Sequence, residues 1–412
     1  MGRLFPLLVL SQISTMAPLF GFVLYSDTGA FANFIFMLLL GQLLWPLLTL
    51  RLDIQIQVEL QHSRQAYVLA LGLWVFGALS LLSAFGLWIG QIPIFTEGEM
   101  HKIWGGLFIG ASLAAQGLIR GYVVARGKMG PIVFFELSNI LKNFGALAVS
   151  GWVVAQFSNA ALADLFVWAN IIHGITIVAI TLVALRAQPR IRVLQHFLRK
   201  GSILRRRAHK VLYYSFPNSF IGMATGRLPL LAIEAALPAP LSAAFLAANR
   251  ISLSPLSFLI YALRILGVIE MNKRRNNTPD QFRRFLWTVT IGAPLVLSPM
   301  ILPAFYPSIF DPIMRFFNES WTEAVAYLPM MYLWAALFLM TGWLDRVFDV
   351  TGRQHIILMI ELVMLVLTAI LSAAIWQGVL TGQVALWSVV GMGMLHSIAW
   401  GWAFLTKEYR HV

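Results

Sequence analysis

Cysteine is missing from all 412 residues, which removes disulfides, thiolate nucleophiles and thiolate metal sites together. Charge is scarce: 11% of residues are Asp, Glu, Lys or Arg, where a soluble globular domain carries about a quarter. No stretch of domain length is polar enough to fold in water, so the chain reads as integral to a membrane. Acids are scarcer than bases, with 17 Asp and Glu against 30 Lys and Arg and a formal net charge of +13. In a soluble protein that balance points to nucleic acid. Here it first reflects orientation against an anionic leaflet, and no nucleic-acid partner is expected. Enzyme signatures are missing too: there is no Gly-rich phosphate loop, zinc-helix motif or G-x-S-x-G elbow. Nor is there the sizeable extramembrane loop that a membrane glycosyltransferase or polymerase presents.

What the chain has is apolar length. Hydrophobic residues make up 59% and the mean hydropathy is +0.77. A spanning helix needs about 20 apolar residues. Twelve segments qualify, at 6–25, 30–50, 67–91, 103–125, 131–156, 160–186, 211–236, 240–270, 284–305, 325–348, 355–378 and 384–406. Met1-Gly2-Arg3 leads directly into the first without a small-residue cleavage site, so that segment is expected to span rather than to be removed.

The charges between segments test this count. Loops after even-numbered segments hold Arg51 and Arg64, Arg126 and Lys128, the dense run from Arg186 to Lys210, Lys273 to Arg284, and Arg346 with Arg353. Loops after odd-numbered segments are acidic or neutral, with Asp27, then Glu97 and Glu99 beside Lys102, then Asp311, Glu319 and Glu323 beside Arg315. The alternation predicts both termini in the cytoplasm. The basic linker 187–210 divides the chain into an N-terminal six-helix bundle, 1–186, and a C-terminal one, 211–412. The predicted fold is thus an all-α integral membrane protein of about 12 transmembrane helices, two six-helix bundles around a central cavity. Two such halves are common in secondary transporters, with the substrate between them. Segments one and seven both carry polar and helix-breaking residues, Ser11, Gln12, Ser14, Thr15 and Pro18 against Ser215, Pro217, Asn218, Gly226 and Pro229.

Against this background Lys142, Arg227 and Arg250 stand out, each deep inside an apolar segment. A fixed charge near the bilayer centre costs about 3 kcal/mol or more and faces a watery cavity or a charged partner. Arg250, Ser254, Ser257, Tyr261 and Arg264 fall at spacings of 4, 3, 4 and 3, on one helix face. Arginine suits phosphate because its fork donates two hydrogen bonds and stays charged. Plainer readings stand beside this one: Arg264 snorkels to the surface, Arg250 sits in a buried ion pair, and Arg227 pairs with Glu234. Lys142 shares a polar face with Glu136, Asn139 and Asn143, and a Glu136–Lys142 pairing competes with a substrate role. Glu136 and Glu361 are the deepest acids, with Asp164 nearer the outside, and are candidates for proton or sodium coupling. His173 and His396 are expected to be packing residues. No cofactor and no metal site is expected beyond a coupling H+ or Na+.

Three stretches resemble a known family. Thr49-Leu50-Arg51-Leu52-Asp53-Ile54 resembles the Arg-Tyr-Glu-x-Ala-Ile signature of bacterial polysaccharide biosynthesis flippases. Tyr214-Ser215-Phe216-Pro217-Asn218-Ser219 is similar to their Tyr-x-x-Pro-x-Asn entry to the seventh helix. Ala247-Ala248-Asn249-Arg250-Ile251, followed by Pro255-Leu256-Ser257, resembles their Ala-x-Arg-Val…Pro-Leu helix. The pattern departs where Ile54-Gln55 replaces Ala-Ile. These flippases belong to the superfamily of multidrug, oligosaccharidyl-lipid and polysaccharide exporters. The resemblance implies a bacterial inner-membrane flippase that carries undecaprenyl-pyrophosphate-linked oligosaccharide to the outer leaflet by alternating access, with polysaccharide assembly proteins as partners. Expected substrate residues are Arg250, Arg227, Lys142, Arg51, Arg264, Tyr261 and Asn218, and expected coupling residues are Glu136, Glu361 and Asp53. The competing readings are a multidrug exporter of the same superfamily and an integral-membrane polymerase or ligase. Cationic drugs prefer acidic cavities, and the deep residues here are mainly basic.

Overall fold

The computed structural model describes residues 5–53, 56, 62–90, 97–126, 129–184, 216–275, 279–306, 308, 320–345, 347–348 and 353–408. Among them there are helices and no strands, and each of the twelve predicted segments falls on helix. In chain order these are α1 Phe5–Ser14, α2 Ala17–Tyr25, α3 Thr28–Thr49, α4 His62–Gly90, α5 Glu97–Arg126, α6 Met129–Gln156 and α7 Asn159–Ala184. Then follow α8 Phe216–Ala236, α9 Ala239–Arg275, α10 Pro279–Leu297, α11 Leu302–Phe305, α12 Ser320–Ala326, α13 Leu328–Thr341, α14 Gln354–Trp376 and α15 Gly382–Ala403. The chain is an all-helical, multi-span membrane protein.

Eight described helices are long and apolar enough to cross a membrane by themselves. The remaining segments are the first, seventh, eighth and tenth. The first is split at Thr15 and Met16. The Ser14 hydroxyl donates to the Ser11 carbonyl at 2.7 Å, competing with the backbone ladder, and Pro18 has no N–H to offer the Ser14 carbonyl. α8 carries Pro229 in its interior next to Arg227, and α9 carries Arg250 in its first half. The tenth segment is divided between α12 and α13.

Two compact units emerge. The first comprises Met1–Gly21 and Asn33–Met223, the second Phe22–Ala32 and Ala224–Val412. In the first, α5 packs against α4 and α7, and α6 against α1 and α7. α3 approaches α5 backbone to backbone: a Cβ on Gly41 meets the Gly110 nitrogen at 2.9 Å, and one on Gly110 meets the Gly41 carbonyl at 3.0 Å. Lipid tails are as apolar as leucine, so membrane helices gain contact by bringing small residues together. Leu118, Ile119 and Tyr122 of α5 fill the core with Phe135 of α6 and Ile177 of α7.

In the second unit, α9 buries Ala243, Ala244, Ala247 and Ala248, and this small-residue face lets it lie close to α12 and α13. Phe282, Trp343, Phe348 and Phe404 fill the core around them, with Phe285 edge-on to Trp343 at 5.2 Å. The tip of the first helical hairpin belongs to this unit. There the Asp27 carboxylate caps α3 by accepting the Ala30 N–H at 2.7 Å, and Phe31 lies 5.3 Å from the buried Trp321 ring.

Candidate functional site

α8 and α9 are adjacent in sequence and each contributes one interior guanidinium to the second unit. Arg227 and Arg250 are both half-buried, and the charge of Arg227 acts on Arg250. Among the described residues neither has a hydrogen-bond or ion-pair partner. Glu234, two turns beyond Arg227, has partners of its own. Beside Arg227, a Cβ on Gly226 meets nothing within 4 Å, so the backbone there borders open space. Two neighbouring like charges at an effective dielectric near 20 repel by on the order of 1 kcal/mol or more. An anion placed between two such groups offsets that repulsion. A diphosphate fits this chemistry: each guanidinium can donate a pair of hydrogen bonds to one phosphate group.

Other predicted members of the site lie elsewhere. Asn218 sits at the start of α8, half-buried, with its Oδ1 unpartnered among the described residues. The side chains of Tyr261 and Arg264 lie outside the described residues, although their backbone continues α9. Lys142 belongs to the first unit, where its Nζ donates to Asn170 Oδ1 at 2.9 Å. That asparagine is fixed in turn by donating to the Phe166 carbonyl at 2.8 Å. The same interior holds Asn139 and Asn143 of α6, donating to Ser11 and Ser14 of α1 at 3.1 and 2.9 Å. Lys142 is therefore a charge held by one amide oxygen, with no carboxylate partner among the described residues.

Glu136 does not pair with Lys142. It accepts from Arg120 Nη2 at 2.9 Å, the carboxylate 3% exposed and the arginine 41%. Arg120 was not among the predicted interior cations. Its signal is positional: Arg120 and Glu136 each stand eight residues from Lys128, which lies between α5 and α6 in the sequence. Two helices of equal rise joined by a short turn bring such positions to equal depth.

Arg51 and Asp53 pair with each other, Nε to Oδ1 at 3.5 Å, both largely buried. The Arg51 guanidinium lies 5.3 Å from the Trp45 ring centre, and its backbone N–H donates to Thr49 Oγ1 at 3.2 Å. Leu50 and Arg51 both occupy the left-handed region, at φ 46° and 56°. Such a conformation costs of order 1–3 kcal/mol per residue and persists only when the surroundings enforce it. α5 passes close to the residues that follow, where a Cβ added to Gly121 would lie 2.6 Å from the Asp53 carbonyl oxygen.

Glu361 of α14 meets His396 of α15, Oε1 to Nε2 at 2.8 Å. Trp400, one turn beyond His396, also donates to that carboxylate at 3.1 Å. His396 is thus bound to an acid rather than simply packed, while His173 meets Ser138 Oγ through Nε2 at 3.0 Å and keeps Nδ1 buried without a partner among the described residues. Asp164 pairs with the exposed His101 at 2.9 Å. Among the described residues no group of three potential ligands is arranged to hold a metal ion.

No protein-family model matches the chain, and no curated protein matches it. Solved structures do. An inward-facing conformation of a multidrug resistance MATE family transporter of the MOP superfamily is similar at a TM-score of 0.63 and 13% identity, over 96% of this chain and 94% of that one. A MATE structure in complex with MaL6 follows at 0.58 and 12%, over 98% and 94%. An outward-facing conformation of a multidrug resistance MATE family transporter gives 0.54 and 12%, over 100% and 96%. Identities this low speak to architecture alone. Over nearly its whole length, this chain has the fold of MATE transporters.

Proposed function

We propose that this protein is a secondary transporter working by alternating access, and that its cargo is an undecaprenyl-pyrophosphate-linked oligosaccharide moved from the cytoplasmic to the outer leaflet of a bacterial inner membrane. The observation that carries this reading is that α8 and α9, adjacent in sequence, each place a half-buried arginine in the second unit, Arg227 and Arg250, with no acid partner among the described residues. It suits a pyrophosphate head, while the polyprenyl tail stays in the bilayer. Lys142, solvated by Asn170, supplies a further positive position for the same cargo. The lipid-linked oligosaccharide, the surrounding phospholipid and the proteins that assemble the polysaccharide are the partners this reading implies.

A second reading has an observation of its own. The fold neighbours are described as multidrug resistance transporters, so export of drugs competes with flipping. A cation-binding exporter places acids deep in its interior, whereas here Glu136 and Asp53 are each engaged by an arginine. Deleting the gene decides between these readings. A flippase leaves unflipped glycolipid on the cytoplasmic side, cured by the intact gene and not by Arg250→Gln. A drug exporter leaves surface polysaccharide intact and sensitises cells to organic cations. Altered polymer length with normal translocation identifies an enzyme of polysaccharide assembly instead.

A further inference from the structure

The last two helices contain a cluster that anion binding does not use. Glu361 is 2% exposed. Its Oε1 faces His396 Nε2 at 2.8 Å and the Trp400 indole nitrogen at 3.1 Å. That indole nitrogen is also 3.0 Å from His396 Nε2, and the two rings are 6.1 Å apart at 74°. The second carboxylate oxygen is buried with no partner among the described residues.

Glu361 is the one carboxylate in the sequence of α13, α14 and α15. The other titratable or charged groups on the elements packed here are few. His355 is exposed at the start of α14, and Arg353 precedes it with partners of its own. Tyr332 of α13 donates its hydroxyl to the Pro294 carbonyl at 3.1 Å, and Arg250 of α9 is half-buried without a hydrogen bond to Glu361. The side chains of Lys407 and Glu408 lie outside the described residues. None of the described groups contacts the carboxylate.

With the imidazole neutral, the pair carries one buried negative charge, which an apolar interior disfavours strongly. Adding one proton at Nδ1, while Nε2–H remains donated to Oε1, takes the pair from −1 to 0 without breaking any bond. The imidazole is the accessible member, 23% exposed against 3% for the carboxylate. Hard metal cations ask for a shell of oxygens, but here ring nitrogens occupy one side of the only carboxylate. We propose that Glu361 and His396 form a single-proton binding site, with Trp400 holding the carboxylate in place, and that this proton rather than sodium is the coupling ion. The coupling half rests on the transporter reading above; the site itself does not.

Trp400 also makes the site measurable, because an imidazolium quenches a neighbouring indole more strongly than a neutral imidazole does. The purified full-length protein in nanodiscs is titrated across about pH 5 to 8, the range in which histidine changes charge, while tryptophan emission is recorded. With 14 tryptophans present, the wild-type minus Trp400→Phe difference isolates the reporter. It is expected to contain one step, indifferent to replacing choline chloride by sodium chloride and abolished in His396→Gln and in His396→Asn. No step in the wild type, or one that survives both His396 variants, overturns the site. A step that moves with sodium reassigns the site to that ion. The second arm follows glycolipid translocation in vesicles under a pH gradient. Translocation that ignores the gradient while the fluorescence step persists removes the coupling role and leaves the site. Gradient-driven translocation without the step removes the site and leaves the transporter.

Discussion

The two units treat their interior cations differently. In the first, Arg120 is neutralised by Glu136 and Arg51 by Asp53, while Lys142 is solvated by an asparagine. In the second, neither Arg227 nor Arg250 has an acid partner among the described residues. A paired cation contributes to the fold, and removing its partner leaves a buried charge uncompensated. An unpaired like-charged couple weakens the fold and is retained only if something outside the chain benefits. The contrast therefore separates structural charge from working charge, within one protein and among residues of the same type.

Arg250→Gln presses that contrast hardest. It removes the charge, relieves the repulsion from Arg227 and keeps two donors. Losing one desolvated charge contact to an anion costs about 3 kcal/mol, so translocation is expected to fall ~100-fold. The thermal midpoint of the purified protein should hold or rise at the same time. A variant that loses both stability and activity shows that Arg250 has a structural partner, and the difference between the units disappears.

Arg120→Ala should do the reverse. It strands a carboxylate that is 3% exposed. Breaking a buried pair costs roughly 3–5 kcal/mol; with Arg120 itself 41% exposed, about 2 kcal/mol is the expected loss on denaturant titration. The Arg120→Leu, Glu136→Leu double variant should regain most of it, since neither charge is then left alone. If the double variant folds well but fails to transport, the pair belongs with the working charges.

Lys142→Met tests the intermediate case. Its partner is a neutral amide, so the lysine ought to behave like the arginines of the second unit despite lying in the first. A tenfold fall in translocation, about 1.4 kcal/mol, with an unchanged melting temperature is expected. A drop in stability with full activity places it with Arg120.

Helix positions were legible in the sequence because apolar length sets each span. Pairings were less legible, because rotational phase and tilt are set by packing. Depth is the part that can be recovered. Glu361 and His396 lie eighteen and seventeen residues from Val379, in the turn between α14 and α15, just as Arg120 and Glu136 mirror each other about Lys128. Equal distance from a hairpin turn predicts equal depth for any residue pair, and reading Glu361 this way would have singled out His396, with Trp400 one turn on along the same face. The break at Thr15 was foreshadowed by Ser14 and Pro18 but needed the Ser11 carbonyl to explain it. The left-handed pair at Leu50 and Arg51 had no local signal, since neither is a residue that favours that region.

That strained turn supplies the smallest test. Leu50 sits at φ 46°, which a glycine adopts freely. Leu50→Gly relieves roughly 1–2 kcal/mol of backbone strain and gives back about 0.5–1 kcal/mol through the more flexible unfolded chain, so a net gain of ~0.5 kcal/mol in stability is expected. Arg51 keeps its pairing with Asp53 and its place over Trp45, because neither contact involves the Leu50 side chain. If translocation is unchanged, the Arg51–Asp53 pair is structural, like Arg120–Glu136, and the first unit has Lys142 as its one working cation among these residues. If translocation falls while stability rises, the turn stores its strain for function. Arg51 then joins Arg227 and Arg250, and the boundary between the two kinds of charge runs through the first unit rather than between the units.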